Sequence, residues 1–181
     1  MTKHFEDAFR EIILIEGGYA NSPYDSGGET MYGCTKKTAR AFGYNGEMKT
    51  MSLGVARDIY STMYWKPLRL DDVSDVSPEL GSLMFSACVH TGIQRPALWL
   101  QRMLNVFNRL QFDYRDIKAD GYIGDRTLAS LREFEGKRGA AGLKVLTSSV
   151  RIKYGDYLLT LAEEREKDER WIYGWISQRI V

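Results

Sequence analysis

All four prolines of this chain, Pro23, Pro67, Pro78 and Pro96, fall in its first 96 residues, so the last 85 contain no residue that must interrupt a helix. That asymmetry predicts a C-terminal half of long helices and an N-terminal half divided by turns. Phe5, Ala8, Phe9, Ile12 and Ile13 recur at helical spacing and predict an amphipathic helix over 3–15, stopped by Gly17-Gly18. From Tyr19 to Thr35 the density of Gly, Asn, Asp, Ser and Thr predicts a small β-hairpin or irregular excursion. Thr35 is placed to cap a short helix ending at Gly43, and Ser52 one that runs to Trp65 ahead of Pro67. Further helices are expected over 79–90, closed by Gly92, and from Pro96 as first residue to about Leu110. After the turn Asp120-Gly121-Tyr122-Ile123-Gly124-Asp125, helices are expected from about Arg126 to Glu135 and from about Gly142 to Glu166. A terminal piece holding Trp171, Tyr173 and Trp175 completes the chain.

The fold class expected is therefore mainly α, with a small hairpin near the N-terminus. No repeat or low-complexity linker is present, and two closely packed domains, 1–95 and 96–181, are expected. At this length about 70% of the unfolded chain's surface can be buried, so the core needs neither metal nor disulfides.

Composition excludes several classes of function. With 25 Lys and Arg against 24 Asp and Glu, the net charge is +1, short of the cationic excess that phosphate neutralisation needs. Nucleic acid is not an expected partner. Cys34, Cys88, His4 and His90 are too few and scattered for a Cys/His metal site, so no metal is expected. Cys34 and Cys88 pair only if the fold brings their α-carbons within about 7 Å. The acidic start Met-Thr-Lys-His-Phe-Glu-Asp lacks the pattern of an export signal, and the aliphatic run Ile12–Ile15 is far below the ~20 residues of a membrane span. Synthesis in the cytoplasm without membrane insertion is expected.

The chemistry is concentrated near the first helix. Continuing its apolar stripe by one step reaches Glu16, an acid in register with the core. Partial desolvation and the negative end of the helix dipole both disfavour its charge, which suits a proton donor. Nine residues on, Asp25 stands in the polar turn Asp25-Ser26-Gly27-Gly28, whose solvation favours the ionised form. Two carboxylates with contrasting environments are what glycoside hydrolysis requires: one protonates the leaving oxygen, and the other acts on the opposite side of the sugar. Glu29 is the rival to Asp25, ranked lower because strand alternation beside Thr30 turns it to the other face.

Glu16-Gly17-Gly18-Tyr19, with Asp25-Ser26-Gly27-Gly28-Glu29-Thr30 and Gly33-Cys34-Thr35, resembles the E-G-G-Y…D-x-G-G-x-T-x-x-G-x-T signature of glycoside hydrolase family 108. These are N-acetylmuramidases of lysozyme-like fold, found among phage endolysins and bacterial muramidases that assist toxin secretion. Tyr64-Trp65-Lys66-Pro67, Leu100-Gln101 with Leu104-Asn105, and Gly174-Trp175…Arg179 resemble further family segments, and Asp120–Thr127 resembles the D-G-x-I-G-x-x-T of peptidoglycan-binding domains. One departure is Ser86-Ala87-Cys88-Val89-His90-Thr91-Gly92, where D-x-A-x-N-x-G is expected.

The resemblance implies Glu16 as general acid, Asp25 as partner carboxylate, and Thr30 as the residue holding water or Asp25, although its spacing is one residue shorter than in phage-type lysozymes. It implies glycan contacts from Tyr19, Asn21, Tyr32 and His90, and wall contacts from Asp120, Tyr122 and Asp125. The implied reaction is cofactor-free cleavage of the β-1,4 bond between N-acetylmuramic acid and N-acetylglucosamine in bacterial peptidoglycan, by a monomer that reaches the wall through a holin or a secretion pathway. Two rivals remain at this stage. A lytic transglycosylase needs only one catalytic acid, and a non-catalytic wall-binding protein needs none.

Overall fold

The computed structural model describes residues 1–21 and 28–181. The expected side-chain caps are in place: Thr35 Oγ1 accepts the Thr38 amide at 3.1 Å and Ser52 Oγ accepts that of Val55 at 3.3 Å. Each satisfies one of the amides that the first turn of a helix leaves unpaired. The chain is mainly α, as the lysozyme-like expectation requires, and its contacts divide it into two compact units, Met1–Pro67 and Leu68–Val181.

The first unit holds α1 (Lys3–Glu16), the hairpin β1 (Thr30–Met31) and β2 (Cys34–Thr35), α2 (Lys36–Phe42), a 3-10 turn (Met48–Thr50) and α3 (Leu53–Tyr60). Thr2 caps α1, accepting the Phe5 amide at 3.3 Å. Phe5, Ala8, Phe9 and Ile12 are buried, which is the face that the 3.6-residue period selects. Phe5 meets Trp65 edge-on at 5.4 Å, and Phe9 meets Tyr60 at 5.7 Å. Burying each of these rings contributes roughly 1.5–3 kcal/mol, which fixes α1 against α3. The helix expected to run unbroken from Ser52 to Trp65 changes character at Ser61. Residues Ser61–Trp65 form a π turn in which the Lys66 amide reaches back to the Ser61 carbonyl at 3.0 Å.

The second unit holds α4 (Leu70–Val76), α5 (Pro78–Thr91), α6 (Gln94–Phe107), α7 (Asp125–Glu164), a 3-10 turn (Glu166–Asp168) and α8 (Glu169–Arg179). Within the second unit, α5 packs on α4, α6 and α7. Sequence periodicity leaves α4 unassigned: it is short, acidic, and preceded by Arg69 in left-handed conformation (φ +49°) in place of a capping side chain. α6 starts two residues before Pro96, which occupies the third helical position, where the missing N–H has no intrahelical partner to lose.

The two helices expected over 126–135 and 142–166 are both present: the run α7 is two helices joined at Gly139, whose backbone (φ +58°, ψ −162°) is not helical. Gly136 stays helical, a position glycine tolerates at a cost of about 1 kcal/mol. At Gly142 a Cβ would lie 2.1 Å from Arg138 Cβ, so the approach across the break excludes any larger residue.

Candidate active site

Glu16 is the last residue of α1, half-buried, and its position is set by the hairpin that follows. Thr30 pairs with Thr35 and Met31 with Cys34, leaving Tyr32 and Gly33 as a two-residue turn with φ of +51° and +73°. Positive φ at both positions is the mark of the tight turn that matches the twist of a two-stranded ribbon. The turn faces the acid. A Cβ built on Gly33 would lie 2.5 Å from Tyr60 Oη, 2.7 Å from Glu16 Cγ and 2.8 Å from Glu16 Cβ. Glycine at 33 is therefore required twice, by backbone conformation and by the acid pressed against it.

Tyr60, fully buried, holds the turn from below by donating its hydroxyl hydrogen to the Tyr32 carbonyl at 3.0 Å. Its ring belongs to the Phe9 contact that fixes α1, so one side chain ties the helix carrying Glu16 to the turn beside Glu16. Cys34 is buried at the same junction, its thiol pushed up to about 12 by desolvation first and by the Glu16 carboxylate second. Gly33, which enters the sequence reading only as part of the signature, and Tyr60, which periodicity does not single out, are the residues packed around Glu16. Their signal is weak, because a Gly in a turn and a Tyr in an amphipathic helix are both ordinary.

Thr30 is half-buried in β1 and forms a bridge with Ala20: the Thr30 amide donates to the Ala20 carbonyl at 2.8 Å, and the Ala20 amide donates back at 3.0 Å. Its hydroxyl donates to the Ala20 carbonyl at 3.4 Å. Ala20 is four residues past Glu16, so this bridge ties the segment leaving α1 to the hairpin. Asp25 lies outside the described residues.

Glu29, the rival carboxylate, is committed elsewhere. It accepts the Tyr19 hydroxyl at 3.1 Å and the Lys36 ammonium at 3.0 Å, and Lys36 foremost holds its carboxyl below the usual range. Tyr19 carries Lys49 Nζ 5.1 Å from its ring centre, and these residues line a polar cavity of about 330 Å³ with Arg40 and Asn45. Asn21 is exposed at the edge of the described hairpin segment, and Tyr32 sits in the turn itself.

His90 belongs to the second unit. Its half-buried ring meets Trp175 edge-on at 5.1 Å and Tyr154 at 6.4 Å, and burial pushes its pKa down to about 3. The three residues expected to touch the cell wall also lie in this unit, and two of them serve the turn they occupy. Buried Gln101 of α6 reaches Asp120 Oδ1 at 3.0 Å and the Tyr122 carbonyl at 2.9 Å through Nε2, while its Oε1 accepts the Gly121 amide at 2.9 Å. Four residues on, Asn105 pairs with Ile117 in the manner of a strand, donating to its carbonyl at 2.8 Å and accepting its amide at 2.9 Å. The Leu-Gln…Leu-Asn and Asp-Gly-Tyr-Ile-Gly segments are thus two halves of one device. The Tyr122 side chain is 62% exposed, and Asp125 pairs with Arg69 at 2.6 Å at the start of α7.

Among the described residues no cluster of His, Cys, Asp and Glu fits a metal ion, and no helix is long and apolar enough to cross a membrane. Cys34 and Cys88 are buried free thiols.

Residues 9–92 match the family model described as Glycosyl hydrolase 108, and residues 95–180 match that described as Predicted Peptidoglycan domain. No curated protein matches the sequence significantly. Among solved structures the chain is similar to SagA of Brucella abortus, at 25% identity and a TM-score of 0.69, over 96% of this chain and 88% of that one.

Proposed function

We propose, for a chain whose residues 9–92 match the Glycosyl hydrolase 108 model and whose residues 95–180 match a peptidoglycan domain, that it is a peptidoglycan hydrolase and that Glu16 is the general acid of an N-acetylmuramidase. The bond cleaved is the β-1,4 link from N-acetylmuramic acid to N-acetylglucosamine. Glu16 protonates the glycosidic oxygen as the bond breaks, and Asp25 supplies the second carboxylate, either activating water or attacking the sugar carbon. Thr30 orients water or Asp25 from β1. The observation that carries the reading is the placement of Glu16 at the end of an amphipathic helix, with its Cβ and Cγ against the Gly33 turn and two glycines behind it. A carboxyl so held is positioned by packing, which a proton donor at a scissile bond requires.

The test is digestion of purified peptidoglycan by the parent and by Glu16→Gln, with mass spectrometry of the products. Muramic acid at new reducing ends and a loss of about 10²–10⁴ in rate for the variant are expected. Anhydromuramic ends indicate a lytic transglycosylase instead, and equal lysis by the variant removes Glu16 from the chemistry. The biological role we assign is wall cleavage in phage lysis or toxin secretion, with neighbouring holin or toxin genes distinguishing the two.

A further inference from the structure

Among the described residues of the C-terminal unit, a groove with an aromatic floor and charged walls runs between α6 and α7. On α6, Trp99, Arg102 and Met103 follow at i, i+3 and i+4; on α7, Lys153, Asp156 and Tyr157 do the same, and the two stripes enclose a cavity of about 240 Å³. The floor is aromatic: the Trp99 and Tyr157 rings lie 6.1 Å apart, and Trp99 is 8% exposed. At one end the Arg95 guanidinium covers the Tyr157 ring at 4.6 Å. The walls are charged, with Lys153 3.5 Å from Asp156, while Arg102 forms no ion pair among the described residues. Asp120 and the Tyr122 backbone, by contrast, hold the turn that Gln101 anchors.

We propose that this groove is the wall-binding site of the C-terminal unit, and that it takes the acidic stem peptide of peptidoglycan rather than the glycan strand. This rests on the peptidoglycan domain assigned to residues 95–180 and not on the catalytic role of Glu16. The polar lining is mostly charged, with Thr160 the one neutral hydroxyl at the rim besides that of Tyr157. The charges fit a peptide end. Arg102 and Lys153 face carboxylates, Asp156 faces an ammonium or amide N–H, and the Trp99–Tyr157 floor takes alanine methyl groups. The cavity is below the ~300–1,000 Å³ of pockets that enclose a whole ligand, which suits the end of a stem.

The test uses the full chain carrying Glu16→Gln, titrated with the soluble tetrapeptide L-Ala-γ-D-Glu-meso-diaminopimelate-D-Ala and followed by calorimetry and tryptophan fluorescence. Binding is expected, weakened about tenfold or more by Arg102→Glu and by Lys153→Glu, with unfolding midpoints unchanged because both side chains are exposed. Trp99→Phe is expected to abolish most of the fluorescence response. No binding, equal binding by both charge-reversal variants, or displacement of the peptide by peptide-free chitotetraose each overturns the proposal. Because the tetrapeptide holds no glycosidic bond, failure of the Glu16 assignment leaves this titration readable.

Discussion

His90 offers a quantitative test of how the second unit is held together. Its ring packs against Trp175 and Tyr154, and desolvation first, then the Arg179 charge, pushes its pKa from 6.5 down to about 3. A histidine neutral in the folded chain and protonated in the unfolded one contributes stability that is fully present above pH 6.5 and is lost as pH falls toward 3. At about 1.36 kcal/mol per pH unit, moving from pH 7 to pH 4 removes about 3 kcal/mol through this group alone. That is a large share of a typical stability of about 5–15 kcal/mol. The assay is urea unfolding of the parent and of His90→Phe at pH 7, 5.5 and 4. Phenylalanine keeps a ring against Trp175 and Tyr154 but cannot titrate, and the carboxylates titrating in the same range are common to both proteins. The parent is expected to lose about 3 kcal/mol more than the variant between pH 7 and 4. Parallel losses would refute the reasoning. The same pair measures the sequence expectation of a glycan contact, since a His90 that touches substrate changes KM at pH 7 and a His90 that only packs does not.

Gly33→Ala is expected to lower the unfolding free energy by about 1–3 kcal/mol, through its positive φ and the clash with Glu16, and to depress hydrolysis as well. Gly28→Ala has a similar φ (+67°) with nothing within 4 Å, so it carries the conformational cost without displacing the acid. Burial raises the Cys34 and Cys88 thiols, Cys34 to about 12, so each stabilises the fold at neutral pH and that contribution is lost above pH 9, where unfolded thiols ionise. Urea titrations at pH 8 and 10.5 are expected to show a steeper alkaline loss for the parent than for Cys34→Ala/Cys88→Ala. Gln101→Leu leaves the buried Gly121 amide without its partner, at about 1–3 kcal/mol, while the exposed Asp120 carboxylate keeps the Tyr122 amide. Hydrogen exchange at Gly121 and Tyr122 is expected to accelerate more than at Leu128, one turn into α7.

Much of the fold was legible because helices declare themselves locally. The stripe Phe5–Ile12 and the caps Thr35 and Ser52 involve residues three or four apart, and all were readable. Gly139 also separates the two helices expected before and after it. The errors lie where local signals are absent or permissive. α4 has no capping side chain, and Pro96 is tolerated inside the first turn of α6.

The site divides in the same way. From the sequence alone came Glu16 at the end of an apolar face, a hairpin after it, and an ordered set of motifs pointing to a peptidoglycan hydrolase. Only the tertiary structure decided that Gly33 and Tyr60 brace Glu16, that Glu29 is bound by Tyr19 and Lys36, and that Gln101 and Asn105 hold the Ile117–Tyr122 segment. It also decided that His90 meets Trp175, 85 positions later in the chain. Periodicity and capping operate over one or two helical turns, so a single sequence displays them. Contacts across tens of residues depend on how whole helices pack, and nothing in the spacing of Tyr60 or Trp175 encodes which surface each will meet.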